Sequence, residues 1–342
     1  MKFLLEYVWI DAFNTPRSKI KILTLAKDKM FISDCPMWNF DGSSTGQAEG
    51  KKSDIILRPV KLYNNPFYEN RSDLVSYLVL CDCLNNDLSP HITNTRNECY
   101  NSFLKNRNSE CLFGIEQEYV LFERDQTTAK PYKWFSNDNP GCGLQGPYYC
   151  SVGGDRNFGR EISNEHLFLC LKANIHICGT NAEVMPSQWE FQIGTCDMLT
   201  VSDDLVMARY ILHRVSEKYN CYVSFHPKPF TEWNGSGGHT NFSTKKMRDP
   251  NGIQHIMEAC EKLKENHINH IKVYGTDNDK RLTGIHETSS INDFSYGVAD
   301  RGSSIRIPLN VFNDGCGYLE DRRPAANLDP YLVTSTIANT LC

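Results

Sequence analysis

Acidic side chains stand at alternate positions in a segment whose composition favours a β-strand. Residues 113–120 (FGIEQEYV) are rich in aromatic and β-branched side chains, and they include Glu116 and Glu118. Because alternate side chains of a strand point to the same face, we expect the two carboxylates to lie close together. Carboxylates in such proximity repel each other unless a cation lies between them. The pair therefore indicates either a metal site or a solvated strand edge.

A second extended segment places acidic groups opposite an apolar face. In residues 188–193 (QWEFQI) large apolar side chains alternate with polar ones, and the apolar face must pack against a core. Glu190 then lies half-buried on the polar face, and Glu183 precedes it by one short segment. Buried carboxylates need partners, so these two residues also belong to a candidate charged site.

A glycine-containing loop, residues 233–238, leads into a third extended segment. His239, Asn241 and Ser243 would share one face of this segment, and glycine allows the backbone to approach a substrate or a phosphate closely. Taken alone, the loop is weak evidence. A single histidine is more often a satisfied core residue than a ligand.

Two further segments place charged groups at even spacing. Ser304 and Arg306 would face away from two inward-pointing isoleucines, because neighbouring strand residues point to opposite sides. By the same argument, Glu320 and Arg322 would share one face of residues 318–324. These segments add guanidinium groups to the candidate site.

Together the segments supply carboxylates, one imidazole and several guanidinium groups on extended chain. Charges of both signs on one sheet face suit a metal-bound polyphosphate, and oxygen ligands with one imidazole suit Mg²⁺ or Mn²⁺ rather than Zn²⁺. The cysteines do not join these segments at zinc spacing, and the sequence has no G-x-x-x-x-G-K-[ST] phosphate loop. The candidate carboxylates are Glu116, Glu118, Glu183, Glu190 and Glu320.

The elements that must position these segments follow from length and pattern. A chain of 342 residues suggests two domains, and the polar, turn-rich stretch 85–90 predicts a division into 1–88 and 89–342. In the helix predicted over 202–219, Asp203 and Asp204 would occupy the favourable first turn. The patterns predict strands over 3–9 and 74–81, a loop over 39–50, and helices over 202–219 and 252–271.

Overall composition excludes several classes of protein. The net charge of −5 lacks the basic footprint of a nucleic-acid-binding protein. No window approaches about 18 uninterrupted apolar residues, so no membrane span is expected. Glu6 and Asp11 interrupt the apolar N-terminus, which argues against a signal peptide. We interpret the 14 cysteines as reduced thiols of a cytoplasmic protein, because a chain of this length does not need disulfides to fold.

The segments described above match a known family. The chain resembles the eukaryotic-type (type II) glutamine synthetases, and the matches follow the family's order over nearly the whole length. The matching stretches are WNFDGSST (38–45), GIEQEY (114–119), GPYYCSVGGDRNFGREI (146–162), GTNAEVMPSQWEFQIG (179–194), NGSGGHTNFST (234–244), RLTGIHETSSINDFSYGVADRGSSIRIP (281–308) and GYLEDRRPAANLDP (317–330). Leu112 departs from the pattern, since vertebrate members carry Trp there, near the adenine.

The resemblance implies an α+β fold. A small N-terminal β-grasp-like domain would precede a larger catalytic domain, in which helices flank a curved antiparallel β-sheet that forms a half-barrel. The family assembles as two stacked rings of five subunits, with each active site between neighbouring subunits. A homodecamer of this kind is therefore expected here, with Asp54 of each chain serving the adjacent catalytic domain.

The resemblance also implies two divalent cations, Mg²⁺ or Mn²⁺, and three substrates: glutamate, ammonium and ATP. One cation would be held by Glu118, Glu183 and Glu190. The other would be held by Glu116, His239 and Glu320. Substrate glutamate would contact Asn234, Gly235, His239, Arg281 and Arg322.

ATP and ammonium would occupy the remaining positions of the implied site. The ATP contacts would be Glu116, Asn241, Ser243, Arg301, Arg306 and Tyr318. The ammonium contacts would be Asp54, Tyr149, Glu183 and Glu287. Three residues would take part in catalysis: Asp54 would deprotonate ammonium, Glu287 would lie on a closing flap, and Arg301, with Arg306, would meet the transferred phosphoryl group.

The activity implied is the ATP-dependent amidation of L-glutamate by ammonia, through a γ-glutamyl phosphate, with release of ADP and phosphate. Two alternatives stay open. A γ-glutamyl ligase for another amine would keep the metal ligands and lose the ammonium pocket. A non-catalytic homologue that retains only the assembly would have no reason to keep the metal ligands.

Overall fold

The computed structural model describes residues 1–124, 130–134 and 145–342. Its N-terminal part forms a five-stranded sheet. The strands are β1 Lys2–Ile10, β2 Pro16–Thr24, β3 Trp38–Asp41, β4 Asp54–Asn64 and β5 Leu74–Leu84. They lie in the order β2-β1-β5-β4-β3, with β1 parallel to β5 and the other pairs antiparallel. Strands β1 and β5 confirm the two predicted strands. The predicted loop over 39–50 is wrong at its start, because residues 39–41 pair with β4.

The second sheet contains eight strands. They are β6 Leu112–Glu123, β7 Ile177–Ala182, β8 Gln188–Cys196, β9 Cys221–Ser224, β10 Gly238–Ser243, β11 Tyr296–Val298, β12 Ile305–Ile307 and β13 Leu319–Asp321. The order is β11-β12-β13-β10-β6-β8-β7, and β9 also pairs with β6. Only β11 and β12 pair in parallel, so the sheet is almost wholly antiparallel, as expected.

Eight α-helices accompany the sheets in the described residues. They are α1 Thr95–Asn106, α2 Arg160–Lys172, α3 Met198–Lys218, α4 Lys245–Arg248, α5 Ile253–Glu265, α6 His267–Ile271, α7 Leu309–Asp314 and α8 Pro330–Leu341. Most of α3 is buried among β6, β8, β9, α1, α2 and α8. The arrangement confirms the α+β fold class, with a small N-terminal sheet and a larger half-barrel sheet flanked by helices. The N-terminal sheet ends at Leu84 and α1 begins at Thr95, so the predicted boundary after residue 88 lies in the segment that connects them. The division into two domains at this point stays a prediction.

Helix α3 begins earlier than its apolar pattern predicted. The Asp197 side chain accepts hydrogen bonds from the backbone NH groups of Leu199 and Thr200 and caps the helix. Asp203 and Asp204 therefore lie in the buried interior of the helix rather than in its first turn. The predicted single helix over 252–271 is also wrong, because it divides into α5 and α6 at Asn266.

The two buried aspartates of α3 have partners distant in the sequence. Arg96 of α1 donates two hydrogen bonds to the Asp203 carboxylate, at 2.8 and 3.0 Å. Lys61 and Tyr63 of β4 donate to Oδ1 of Asp204 at 2.7 and 2.8 Å. Since a buried carboxylate needs such partners, these contacts attach both α1 and the N-terminal sheet to α3.

The two faces of strand β1 contact different parts of the molecule. Its odd positions, which include Phe3 and Trp9, pack in the small core of the N-terminal sheet. Glu6 points the other way and is 1% exposed. Arg214 and Tyr210 of α3 both donate to Glu6 Oε1 at 2.5 Å. The alternation of the strand thus separates a local core from a charged contact with the larger part of the molecule.

The segment around β13 alternates in the same way. Glu320 and Arg322 face a cleft in the large sheet, whereas Asp321 and Arg323 are 0% exposed behind it. Arg323 donates to both oxygens of Asp321, at 2.8 and 2.6 Å, and Tyr274 donates to the same carboxylate at 2.7 Å. Burial would raise the pKa of Asp321, but the Arg323 charge holds it below its ordinary value.

Within the described ranges, no helix combines the length and the hydropathy of a transmembrane segment.

Replacement of Arg323 by Met should lower the free energy of unfolding by about 3–5 kcal/mol, because it leaves the Asp321 charge buried without its partner. Urea unfolding followed by circular dichroism would measure the loss. The double variant Asp321→Asn with Arg323→Met is the matched control and should be more stable than the single variant. Equal stability of the parent and Arg323→Met would contradict the assignment of this buried pair.

Candidate active site

Antiparallel register brings the acidic residues of neighbouring strands together. Glu118 on β6 lies opposite Glu190 on β8, and Glu116 lies opposite His239 on β10. On the next strand, Glu320 of β13 pairs with Asn241 of β10. Directly paired residues place their Cβ atoms about 4.5–5.5 Å apart. Residues separated by some two hundred positions in the chain therefore converge on one face of the sheet.

This face lines a cleft of about 530 Å³. The cleft brings together most of the residues that the sequence assigned to a site. Those that line it are Glu116, Glu118, Tyr149, Glu183, Glu190, Asn234, Gly235, His239, Arg281, Glu287, Arg301, Arg306 and Arg322. Glu320 lies at its base and contacts three of these groups.

Glu116, His239 and Glu320 form one compact group whose potential ligand atoms all lie within 4.8 Å of one another. The His239 Nδ1 atom lies 3.5 Å from Glu116 Oε2 and 3.7 Å from Glu320 Oε1. Asn241 donates to Glu116 Oε1 at 2.9 Å, which fixes that carboxylate. This is the trio that the family resemblance assigned to one cation.

A second compact group contains Glu118, Glu190 and His239, again within 4.8 Å. This group differs from the assigned trio of Glu118, Glu183 and Glu190, because it contains His239 in place of Glu183. Glu183 lines the same cleft, and Asn181 donates to its Oε1 at 2.8 Å. The geometry brings two of the three assigned carboxylates together, with the third at the edge of the cluster.

Burial and mutual repulsion both act on this cluster. Desolvation, followed by the charge of neighbouring carboxylates, raises the pKa of Glu190 to about 9 and the pKa of Glu183 to about 8. Desolvation also raises the pKa of Glu118, although Arg281 and the NH of Gly237 oppose the shift. A divalent cation would relieve the repulsion and compensate for the burial, so these residues fit a metal site.

The imidazole of His239 is suited to a ligand role. Burial, followed by the positive charge of Arg322, holds the pKa of His239 well below its ordinary value. The ring is therefore neutral near pH 7, which is the form that binds metals. Arg281 Nη2 lies 3.1 Å from Nε2, while Nδ1 faces the two carboxylates described above. Carboxylate oxygens with one imidazole form a donor set suited to Mg²⁺ or Mn²⁺.

Arginines surround the other side of the cleft. Arg306 Nη1 and Arg322 Nη1 each donate to one oxygen of Glu320, both at 2.7 Å. The Nε of Arg306 is buried and has no hydrogen-bond partner in the described part of the chain. Arg281 is 4% exposed, and burial lowers its pKa to about 10. Buried or unpaired guanidinium donors in an open cleft are suited to carboxylate and phosphate ligands.

A second cavity of about 380 Å³ adjoins the cleft through Glu116, which lines both. Three of the residues assigned to ATP, Asn241, Ser243 and Tyr318, line this cavity together with Leu112. Its walls are mainly apolar residues and backbone of β6, β8 and β10, which suits a flat aromatic ring. An elongated ligand could thus extend from this cavity into the charged cleft.

The segment that carries Glu287 crosses the cleft. His286 and Glu287 adopt φ values of 56° and 58°, which non-glycine residues rarely do. Arg322 Nη2 donates to the Glu287 carbonyl at 3.4 Å, and the Thr288 hydroxyl donates to the Ile285 carbonyl at 2.8 Å. These contacts hold the Glu287 segment over the arginine side of the cleft.

Asp54 is the exception among the assigned residues. It is exposed at the start of β4, opposite Asp41, and it does not line the cleft of its own chain. The structure thus leaves the assigned ammonium residues divided, with Tyr149, Glu183 and Glu287 in the cleft and Asp54 on the N-terminal sheet.

Sequence reasoning missed the amide side chains that hold the carboxylates. Gln192 donates to Glu190 and, at 2.8 Å, to Asn181 Oδ1. Gln188 contacts Glu118 Oε2 at 3.5 Å. The alternation of residues 188–193 contained the signal, because it placed both glutamines on the face of Glu190. Arg248, which lines the second cavity, carried no comparable signal in the sequence.

Comparison with known proteins is consistent with this geometry. Two family models match, described as "Glutamine synthetase, beta-Grasp domain" over residues 2–86 and "Glutamine synthetase, catalytic domain" over residues 98–267. Relatives named glutamine synthetase include those of Yarrowia lipolytica, 52% identical over 99% of this chain and 90% of the relative, and Debaryomyces hansenii, 51% identical over 100% and 90%.

The glutamine synthetase of Saccharomyces cerevisiae is likewise 51% identical over 100% of this chain and 90% of its own length. The two family models together match most of the chain, and all three relatives are about half identical to it over nearly its whole length. The chain therefore belongs to the glutamine synthetase family and is a ligase of the glutamate–ammonia class.

Proposed function

We propose that the chain amidates L-glutamate with ammonia at the expense of ATP, through a γ-glutamyl phosphate, and releases ADP and phosphate. One observation carries the proposal: carboxylates from three strands converge on one neutral imidazole and face a set of arginines across a single cleft. Such a site can neutralise both the charge of a polyphosphate and the charge that develops during phosphoryl transfer.

Two divalent cations, Mg²⁺ or Mn²⁺, would be held by the carboxylate groups and His239 and, when bound, would neutralise charge on the transferred phosphoryl group. We assign one to Glu116, His239 and Glu320. We assign the other to Glu118, Glu183 and Glu190. The raised pKa values of Glu183 and Glu190 support this assignment. They show that neighbouring negative charges in the cluster are not compensated, and a bound cation would compensate them.

Substrate glutamate would lie between the arginines and the glycine loop. Arg281 and Arg322 supply guanidinium donors for its carboxylates, and Asn234 and Gly235 line the same wall. The target carboxylate is unreactive toward amines, because oxide would have to leave. Transfer of the γ-phosphoryl group of ATP to this carboxylate creates a phosphate leaving group, and Arg301 and Arg306 would stabilise that transfer.

The nucleotide would occupy the adjoining cavity. Asn241, Ser243 and Tyr318 line it, and Glu116 lies where the cavity meets the charged cleft. This arrangement supports a pose with the adenine among apolar walls and the phosphates near the arginines. Leu112 gives the adenine an aliphatic neighbour. The stacking energy that an aromatic side chain would contribute at this position is therefore absent.

Ammonium would bind where negative charge is concentrated and a base can remove its proton. Tyr149, Glu183 and Glu287 line one end of the cleft. Asp54 would complete the pocket from a neighbouring copy and act as the base, after which ammonia attacks the acyl phosphate. The Glu287 segment would shield that intermediate from water. The exposure of Asp54 and its place on the N-terminal sheet support a role in trans.

Assembly into a decamer of two pentameric rings is part of the proposal and rests on family resemblance. In a ring built from one repeated head-to-tail contact, the N-terminal sheet of each chain would lie beside the cleft of the next chain. A cytoplasmic location is also proposed. It is supported by the free cysteines of the described residues, which suit a reducing compartment.

The activity is tested by incubating the purified chain with ATP, glutamate, ammonium and Mg²⁺ and measuring both glutamine and ADP. We expect glutamine and ADP in equal amounts. Treatment with a chelator should abolish both, and added Mg²⁺ or Mn²⁺ should restore them, because the carboxylate cluster needs cations to bind the phosphates. Methylamine and polyamines in place of ammonium test the competing ligase function. Faster ADP release with a polyamine would overturn the substrate assignment.

Replacement of Glu190 by Gln should lower kcat/KM by about 10²–10³-fold, because it removes a ligand that stabilises transition-state charge. The metal-free variant should be no less stable than the parent, since burial and neighbouring charges already disfavour an ionised Glu190. Thermal unfolding with and without Mg²⁺ separates the two effects. Glu258→Gln, on the exposed face of α5, is the matched control and should retain parent activity. Parent-level activity in Glu190→Gln would contradict the metal assignment.

Complementation between two inactive variants tests the role of Asp54 in trans. Asp54→Asn and Glu190→Gln should each have very little activity alone. Co-assembly at equal amounts should restore about one quarter of parent activity, because half of the clefts are intact and half of those receive an intact Asp54. Glu49→Gln, exposed on the same domain, is the control and should be active alone. A co-assembled mixture that stays inactive would exclude shared sites.

A further inference from the structure

Two thiols from distant parts of the chain lie in contact at one edge of the larger domain. Cys111 directly precedes β6, and Cys342 directly follows α8. Their Sγ atoms are 3.0 Å apart, although 231 positions separate them in the sequence. Both residues are free, Cys342 is exposed and Cys111 is partly exposed. Theirs is the one hydrogen bond between two thiols among the described residues.

From this contact we propose that Cys111 and Cys342 are a thiol modification site, at which small-molecule disulfides convert the pair into an intramolecular disulfide. The sulfur atoms need to approach by about 1 Å to reach the bond length of about 2.05 Å. That shift is small for two side chains of which one lies beyond the end of a helix and is exposed.

The environment of the pair identifies the attacking sulfur. The Cys342 sulfur is hydrogen-bonded to the Cys111 thiol, and Ser109 and the charge of Lys262 also favour its thiolate. These contacts lower the pKa of Cys342 to about 7, whereas the hydrogen bond with Cys342, followed by burial, raises the pKa of Cys111. A substantial part of Cys342 is therefore thiolate at neutral pH, and the thiolate is the reactive form.

The reaction proceeds in two balanced exchanges. The Cys342 thiolate attacks one sulfur of the small-molecule disulfide, forms a mixed disulfide and releases one small thiol. Cys111, after losing its proton to water, attacks the Cys342 sulfur and releases the second small thiol. Both cysteines are oxidised, and the external disulfide is reduced to two thiols. A thiol reductant reverses both steps.

The bond would connect α8 to the entrance of the proposed nucleotide cavity. Arg248 donates to the Glu110 carbonyl at 2.8 Å and to Ser243 Oγ at 2.9 Å. Arg248, Ser243 and Leu112 all line that cavity. Oxidation would thus restrain the start of β6 beside residues assigned to ATP. This consequence rests on the proposed function, whereas formation of the disulfide does not.

Oxidised glutathione is the probe for the test, with the full chain as it is expressed. After alkylation of free thiols, mass spectrometry should find the peptides of Cys111 and Cys342 joined, and dithiothreitol should separate them. In Cys111→Ser, glutathione should stay on Cys342 as a trapped mixed disulfide. In Cys342→Ser, Cys111 should remain unmodified. Cys178→Ser, which removes an exposed thiol elsewhere, should oxidise like the parent.

Thermal unfolding provides a readout independent of activity. Oxidation should raise the Tm of the parent by several degrees, because a cross-link over a long loop restricts the unfolded chain, and it should not raise the Tm of either serine variant. A stable mixed disulfide on Cys342 of the parent, or failure of Cys342 to react at all, would overturn the proposal. A change in KM for ATP between the oxidised and reduced parent would add the functional consequence. A disulfide without any such change would refute that consequence alone.

Discussion

Repulsion among buried carboxylates is the constraint on which the rest of this structure depends. Glu118 and Glu190 face each other across neighbouring strands. Burial raises the pKa of both, and the charges of Glu116 and Glu118 raise the pKa of Glu190 further. Such an arrangement opposes folding unless a cation or a proton compensates for it. The surrounding hydrogen bonds from Gln192 and Asn181, and the arginine pairs of Glu320, hold the cluster in one geometry. The cluster thus lowers the stability of the fold and at the same time provides a preorganised binding site.

The two-residue period of β-strands lets the same segments build the site and the core. On β8, Trp189 and Phe191 are buried in the large core, while Glu190 between them faces the cleft. Around β13, Glu320 faces the cleft and the Asp321–Arg323 pair lies behind it. A shift of one residue in register would exchange these two sets, so core packing fixes the position of every charged group in the cleft.

Charged contacts also hold the N-terminal sheet against the larger domain. Glu6 bonds to Arg214 and Tyr210 of α3, and Asp204 of the same helix bonds to Lys61 of β4. Both carboxylates are buried and lie outside the cleft, and each has a cationic partner. The contacts set the orientation in which Asp54, on β4, is presented at the outer surface.

Residue types and spacing alone determined that β6, β8, β10 and β13 carry charge on one face, since alternation is a local property of the chain. The start of α3 and the division at Asn266 were misjudged, because apolar periodicity does not reveal a cap such as Asp197 or a break between two helices. Only tertiary structure decided which strands are neighbours, that His239 belongs to both compact groups, and that Cys111 meets Cys342. Strand order and chain-end contacts are long-range, so no local pattern encodes them.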